Sequence, residues 1–269
     1  MPECAGWRLA ILDVPFDLRT NLTRGAQVLR QDARTWRLAI PAGPAGRYRL
    51  AQMDDYGHLR RSAFRWRPPF SLELQGRAST AELPGTWGFG VWNDPFGMGL
   101  LTGGEALRLP TLPNAAWFFF ASPQNYLSLR DDLPAHGNLA AVFRAPRWPP
   151  IWLTPALLGL PLLALPPGVR LLRRLGRTWV GEAACVLALD PSLWHSYRLD
   201  WQLEQVCFQV DGQTVLSTQV APNGPLGLVL WVDNQYAAMP PSGRVRYGML
   251  QNPEAAWIEL RDLKIETIC

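Results

Sequence analysis

The chain has 269 residues, a formal net charge of +4, and 48% hydrophobic against 18% charged residues. That length holds one large β domain or two small ones, and that balance excludes a disordered chain. The basic residues are mostly arginine and are dispersed without a run long enough for a nucleic-acid tail, so no nucleic acid is expected as partner, while weak attraction to an anionic surface fits the same charge.

Short stretches of alternating apolar and polar residues recur along the chain, separated by Pro, Gly, Asn and Asp, and predict an all-β, antiparallel sandwich or barrel. In chain order the expected strands are 36–40, 48–52, 70–77, 86–92, 115–121, 126–129, 139–144, 183–189, 194–202, 205–210, 214–219, 226–232 and 256–265. The 25 prolines fall mostly between these runs, where a missing N–H costs no ladder bond. The first two strands are expected to pair as a hairpin and to supply edges. The clearest hairpin runs from Trp194 to Val210, and Asp211-Gly212 then reads as a type I′ turn into Thr214-Val215-Leu216. The whole of 1–269 is read as one sandwich domain.

One segment breaks the β pattern. Ile151 to Val169 carries no charged residue and has about the length of a membrane span, yet Pro155, Pro161, Pro166 and Pro167 divide it. Two short helical turns opening at Pro155 and Pro161 are expected, followed by a helix on which Leu171, Leu172 and Leu175 share one face and arginines ring the other. This apolar, basic-flanked insertion spans 146–177. Trp152, Leu157, Leu158, Leu160, Leu162, Leu163, Arg170, Arg173 and Arg174 are its expected contact residues, with a lid over a cleft, a membrane surface or a second subunit as the contact for 151–175.

The four cysteines, Cys4, Cys185, Cys207 and Cys269, form no Cys-x-x-Cys pair and histidines are scarce, so neither a metal nor a cofactor is expected. No secretory leader is read at the N-terminus. The expectation is a cytoplasmic protein with reduced thiols, membrane-associated if the insertion is a membrane contact. Thirteen tryptophans point to a thick core, a cleft lined with flat rings, or both.

Several stretches resemble the concanavalin-like lectin/glucanase superfamily, and within it the family 16 glycoside hydrolases. Phe70–Arg77 resembles the family's early strand, Gly85-Thr86-Trp87-Gly88-Phe89-Gly90-Val91-Trp92 its cleft strand, Trp194–Trp201 with Phe208-Gln209-Val210-Asp211-Gly212 its hairpin, and Leu226–Val232 with Trp257–Ile265 its closing strands. The resemblance covers about residues 65–265, without the insertion. It implies a jelly-roll sandwich with a sugar cleft. The family's catalytic strand reads Glu-x-Asp-x-x-Glu, whereas the corresponding stretch here, Asn114–Ser122, contains no acid. A retaining glycosidase needs two carboxyls about 5–5.5 Å apart.

The resemblance and the alternation together nominate candidates. Trp87 and Trp92 are five apart and so face opposite sides of a strand. Trp117 and Phe119 share one face and Phe118 and Phe120 the other, one pair in the core and one in the cleft. The expected ligand-binding residues are Trp92, Asn93, Asp94, Trp117, Phe119, Trp231, Asp233, Asn234 and Tyr236. Glu73, Asp94 and Asp233 are the only candidates for a displaced catalytic acid. Glu73 also fits an ion pair with an arginine, and Asp94 a turn. Three functions follow. The first is a non-hydrolytic protein holding a glycan, glycolipid or other amphiphilic small molecule in an aromatic cleft. The second is an enzyme on the same scaffold with altered acid/base residues. The third is a membrane-peripheral scaffold. The missing acids place the first ahead.

Overall fold

The computed structural model describes residues 18–97, 108–133, 135–148 and 165–267. Two seven-stranded antiparallel sheets pack face to face. The first takes, in spatial order, β1 (Arg19–Leu22), β4 (Leu50–Asp54), β13 (Gly227–Asp233), β6 (Thr86–Trp92), β7 (Ala115–Ala121), β8 (Gly137–Arg144) and β9 (Gly181–Val186). The second takes β12 (Gln213–Thr218), β11 (Val206–Val210), β10 (His195–Trp201), β5 (Phe70–Ala78), β16 (Ala256–Thr267), β3 (Thr35–Ile40) and β2 (Gln27–Arg30). A small ribbon of β14 (Gln235–Ala238) and β15 (Arg246–Met249) and one helix, α1 (Pro166–Trp179), complete the described elements. This is the antiparallel sandwich, one of the two architectures expected from the alternation, and it agrees with the jelly-roll form that the resemblance implies.

The period-two alternation decides which residues meet between the sheets. From the first sheet come Met53, Trp87, Phe89, Val91, Phe118, Phe120, Val142, Leu228, Leu230 and Val232. From the second come Leu38, Ile40, Leu72, Leu74, Tyr197, Leu199, Trp201, Phe208, Ile258 and Leu260. Phe118 sets its edge against Phe208 and Tyr197 at 5.1 and 4.9 Å, and Trp87 stacks on Phe120. Each such side chain contributes about 1.5–3 kcal/mol by leaving water. The Asp211-Gly212 turn forms as read, with φ of 50° and 77°, and His195 is fixed by Asp211 and the Asp190 carbonyl.

Four expectations change. The segments 36–40 and 48–52 do not form a hairpin. β3 pairs with β2 and β16 in the second sheet, while β4 pairs with β1 and β13 in the first, so residues 41–49 cross between layers. Residues 126–129 form no strand, because Tyr126 makes only a single bridge to Ala238. Cys207 is disulfide-bonded, against the expected reduced thiols, and Cys185 is free.

The fourth change concerns the insertion. Trp152, Leu157, Leu158, Leu160, Leu162, Leu163 and the expected turns at Pro155 and Pro161 lie outside the described residues. The helix does form, but its faces differ from the reading. Val169 and Arg173 point inward with Leu172 half-buried, while Leu171 and Leu175 point outward. Arg173 is therefore not a contact residue for a lid or membrane. Its guanidinium donates to the carbonyls of Ser128 (2.7 Å), Leu129 (2.9 Å), Arg130 (3.1 Å) and Met239, and to the Asp131 carboxylate (2.9 Å). Turning loop carbonyls toward one buried cation replaces the water that both would otherwise need.

Replacing Arg173 with Met leaves the Ser128 and Met239 carbonyls without this donor, and Leu129 and Arg130 with only Arg177 Nε and the Tyr126 hydroxyl, at a cost of about 3 kcal/mol. The expected result of R173M is faster tryptic cleavage at Arg170, Arg174 and Arg177 with the sandwich intact by circular dichroism. Unchanged cleavage shows that the clamp does not hold the helix.

Candidate functional site

The outer face of the first sheet is as aromatic as the inner one. Register aligns Gln52, Trp231, Gly88, Phe119 and Leu139 in one row across the strands, and Val229, Gly90, Trp117 and Ala141 in the next. The two glycines of β6 open the middle of this face. A Cβ on Gly88 would lie 2.8 Å from the Trp231 ring and 2.3 Å from the Phe118 carbonyl oxygen. A Cβ on Gly90 would lie 2.6 Å from the Trp117 side chain. With no side chain between them, the two indoles meet across β6 at 5.6 Å. Phe119 lies 5.5 Å from Trp117 and 6.0 Å from Trp231, and Trp92 joins at 5.6 Å from Trp117. Phe119, Trp231 and Trp92 are buried, and Trp117 is the ring left partly open.

These rings floor a hollow of about 90 Å³ whose rim includes Tyr48, Gln52, Phe96, Asn125, Leu127, Asp233 and Gln235. At roughly 30 Å³ per water molecule it holds about three waters, so a ligand ring would rest on it rather than sink into it. Leu127, with Trp117 and Phe119, also lines a second, smaller hollow of about 30 Å³ toward β8 and Glu182.

Asp233 is the one carboxyl lining the open hollow among the described residues. Its Oδ1 accepts hydrogen bonds from the Thr86 hydroxyl (2.9 Å), the Thr86 amide (3.2 Å) and the Gln235 amide (3.0 Å), and Thr86 in turn accepts from Trp231 Nε1 (3.0 Å). Burial pushes its pKa up to about 7 in spite of these donors. The Tyr48 hydroxyl is buried beside Asp233, and its pKa is pushed up by burial first and by the Asp233 charge second. Trp92 Nε1 is buried at the opposite end of β6, next to Tyr56. A buried carboxyl flanked by a buried hydroxyl is a costly arrangement for a purely structural surface.

The sequence-derived candidates separate into those the hollow gathers and those it does not. Trp92, Trp117, Phe119, Trp231 and Asp233 line it. Asn93 does not. Its side chain donates to the Leu112 carbonyl and accepts from the Asn114 amide. Asp94 is fully buried at φ 46°, paired with Arg108 at 2.7 Å, and so serves the turn rather than a rim or acid–base role. Asn234 is also fully buried, holding the Arg49 amide and the Arg47 and Leu250 carbonyls. Tyr236 points away, because Gln235 and Ala237 take the hollow side of β14. Glu73 stands on the outer face of the opposite sheet, paired with Arg198 at 3.3 Å and near Lys264. It belongs to no cleft. Tyr48, Gln52 and Thr86 carry no signal in the sequence, whereas Gln235 stands in the polar run that follows Trp231, which the sequence marks as a candidate site. Among the described residues no group of three His, Cys, Asp or Glu side chains is placed to hold a metal.

No protein-family profile matches the chain, and no curated protein does. Solved structures that match include a glycoside hydrolase family protein from Mycobacterium thermorestibile (11% identity, 89% of this chain and 79% of that one, TM-score 0.47). They also include the carbohydrate recognition domain of Emp47p (13% identity, 97% and 93%, TM-score 0.44) and a legume lectin-like domain from Entamoeba histolytica (10% identity, 94% and 90%, TM-score 0.46). β7 turns Ala115, Trp117, Phe119 and Ala121 toward the outer face and carries no carboxylate.

The Asp233 proton gives a stability test. A folded-state pKa of about 7 against an ordinary 3.8 means that the native chain keeps the proton to higher pH than the unfolded one. The stabilising contribution is full below pH 3.8 and is lost as pH rises through about 7. Asp55, raised to about 6 by burial, adds to the same fall. Asp233→Asn, which keeps the Oδ1 acceptor, is expected to raise Tm relative to wild type at pH 8 and to leave it nearly unchanged at pH 4. Equal pH slopes for the two proteins would rule out the buried-proton account.

Proposed function

We propose that this protein binds, without hydrolysing it, a carbohydrate or a carbohydrate-bearing amphiphile on the outer face of its first sheet. The observation that carries the reading is the partly open Trp117 ring, set among buried rings and bordered by Asp233, Tyr48, Gln52 and Gln235. A sugar ring presents a C–H face to an indole and hydroxyls at its edge. The hollow supplies one flat platform and a short arc of donors and acceptors at matching height. Shallow contact of this kind suits recognition of one exposed sugar unit at the end of a larger molecule.

Hydrolysis draws no support from the same residues. Both common glycosidase mechanisms need a second carboxyl, at about 5–5.5 Å for retention or 6.5–9.5 Å for inversion. Asp233 has none beside it in the lining of the open hollow among the described residues. One observation favours a second reading, an enzyme of altered chemistry. A carboxyl held at about pKa 7 beside a buried tyrosine hydroxyl is a competent general acid or base.

The two readings part in one experiment. Mono- and oligosaccharides and glycolipids are screened by intrinsic tryptophan fluorescence, and each hit is incubated and assayed for new reducing ends. The binding reading expects saturable quenching with no product, and Trp117→Ala is expected to weaken Kd at least about tenfold, or 1.4 kcal/mol. Product that disappears in Asp233→Asn establishes the enzyme instead. Absence of any saturable hit with wild type overturns the carbohydrate reading.

A further inference from the structure

α1 presents a half-open outward face, anchored at its C-terminal end where the Trp179 ring meets Trp148 at 5.1 Å. Leu171, Leu175 and Trp179 are 48, 40 and 42% exposed and lie four residues apart, so they form one apolar line along the helix. Beside that line run Arg170 and Arg174, both exposed. Arg170 donates only to the Pro166 carbonyl at the end of its own turn, and neither is in an ion pair among the described residues. The other two arginines of the helix differ, since Arg173 and Arg177 both engage Asp131. Gly243 packs so tightly on Pro166 that a Cβ there would lie 2.3 Å from its carbonyl oxygen. This contact brings the exposed Arg244 and Val245 to the same end of the helix.

The chemistry of this face selects its occupant. A second copy of the chain, docked about a two-fold axis, would set Arg170 and Arg174 against their own duplicates with no acid between them. An anionic bilayer offers both missing complements, phosphates for the guanidinium groups and an apolar layer for the leucines and the indole. The helix is 14 residues long, about 21 Å at 1.5 Å per residue, and no described helix is long and apolar enough to cross a membrane. It would therefore lie in the interface plane. The Arg173 bonds to four loop carbonyls hold it at a fixed pitch on the sandwich, so the stripe is presented already ordered.

We propose that the outer face of α1 is a docking surface for an anionic membrane. Leu171, Leu175 and Trp179 enter the interface, and Arg170 and Arg174 meet lipid phosphate. The inference does not depend on what the aromatic hollow binds.

The test is co-sedimentation of the full chain with vesicles of phosphatidylcholine containing 30% phosphatidylglycerol, beside vesicles of phosphatidylcholine alone. Wild type is expected to pellet with the anionic vesicles at least about tenfold more strongly than with the neutral ones, and to be released as salt rises. The triple variant L171S/L175S/W179S and the double variant R170Q/R174Q are each expected to lose about tenfold in partitioning. The arginine pair is solvent-facing, so R170Q/R174Q should unfold as wild type does; because Trp179 also touches Trp148, L171S/L175S, which spares that contact, is run beside the triple variant and is expected to lose partitioning too. Equal pelleting with both vesicle types overturns the proposal, as does no pelleting, or variants that pellet as wild type does. Light scattering that shows a wild-type dimer, a monomeric triple variant and no vesicle binding assigns the face to self-association instead.

Discussion

The outer face of the first sheet depends on two missing side chains. Gly88 and Gly90 sit at the centre of β6, where any Cβ would run into the Phe118 or Ala116 carbonyl and a neighbouring indole. A strand interior ordinarily disfavours glycine, which adds backbone entropy and packs nothing. Here the space they leave is filled from both sides by Trp231 and Trp117, so β13, β6 and β7 are bound together by ring contacts above as well as by backbone ladders within. The same strand sends Trp87, Phe89 and Val91 into the sandwich. One strand thus feeds two aromatic layers, and the inner one supplies rigidity while the outer one remains partly open.

Around this floor, buried charges are met by fixed partners. Arg108 pairs with Asp94 and donates to the carbonyls of Tyr56, Gly57 and Leu59. Arg173 gathers the carbonyls of the 128–130 loop. On the opposite sheet Glu259 is bridged by Arg37 and Arg77, which outweigh the opposing effect of its own burial and hold its pKa low. Each cation turns an irregular segment into a rigid one, because a guanidinium with several acceptors has one satisfactory orientation. Asp233 and Asp55 are the exceptions. Both accept hydrogen bonds from neutral donors, and burial leaves the charge of each to the solution pH.

How much of this was readable in the sequence follows from the range of each signal. Alternation is local, so it located most strands and separated Trp117 and Phe119 from Phe118 and Phe120 correctly. The Asp211-Gly212 turn and the fixed His195 were also readable, because both are settled within a few residues. Layer assignment is not local. Nothing in residues 36–52 says that the two strands belong to different sheets. The polar cluster at 93–94 and 233–236 looked alike in sequence, since Asn and Asp serve turns and ligands with the same atoms. Only the arrival of Arg108 on Asp94 and of the Arg49 amide on Asn234 distinguishes them. Arg173 was misjudged for a related reason. A helix wheel counts arginine as outward, but five donors can face inward where a loop turns its carbonyls toward them.

Leu127 gives the aromatic floor two neighbouring depressions. With Trp117 and Phe119 it lines both the hollow of about 90 Å³ and a second of about 30 Å³ toward β8 and Glu182. The three side chains form the wall that the two share. Shortening Leu127 would thin that wall and join the depressions into one longer trough.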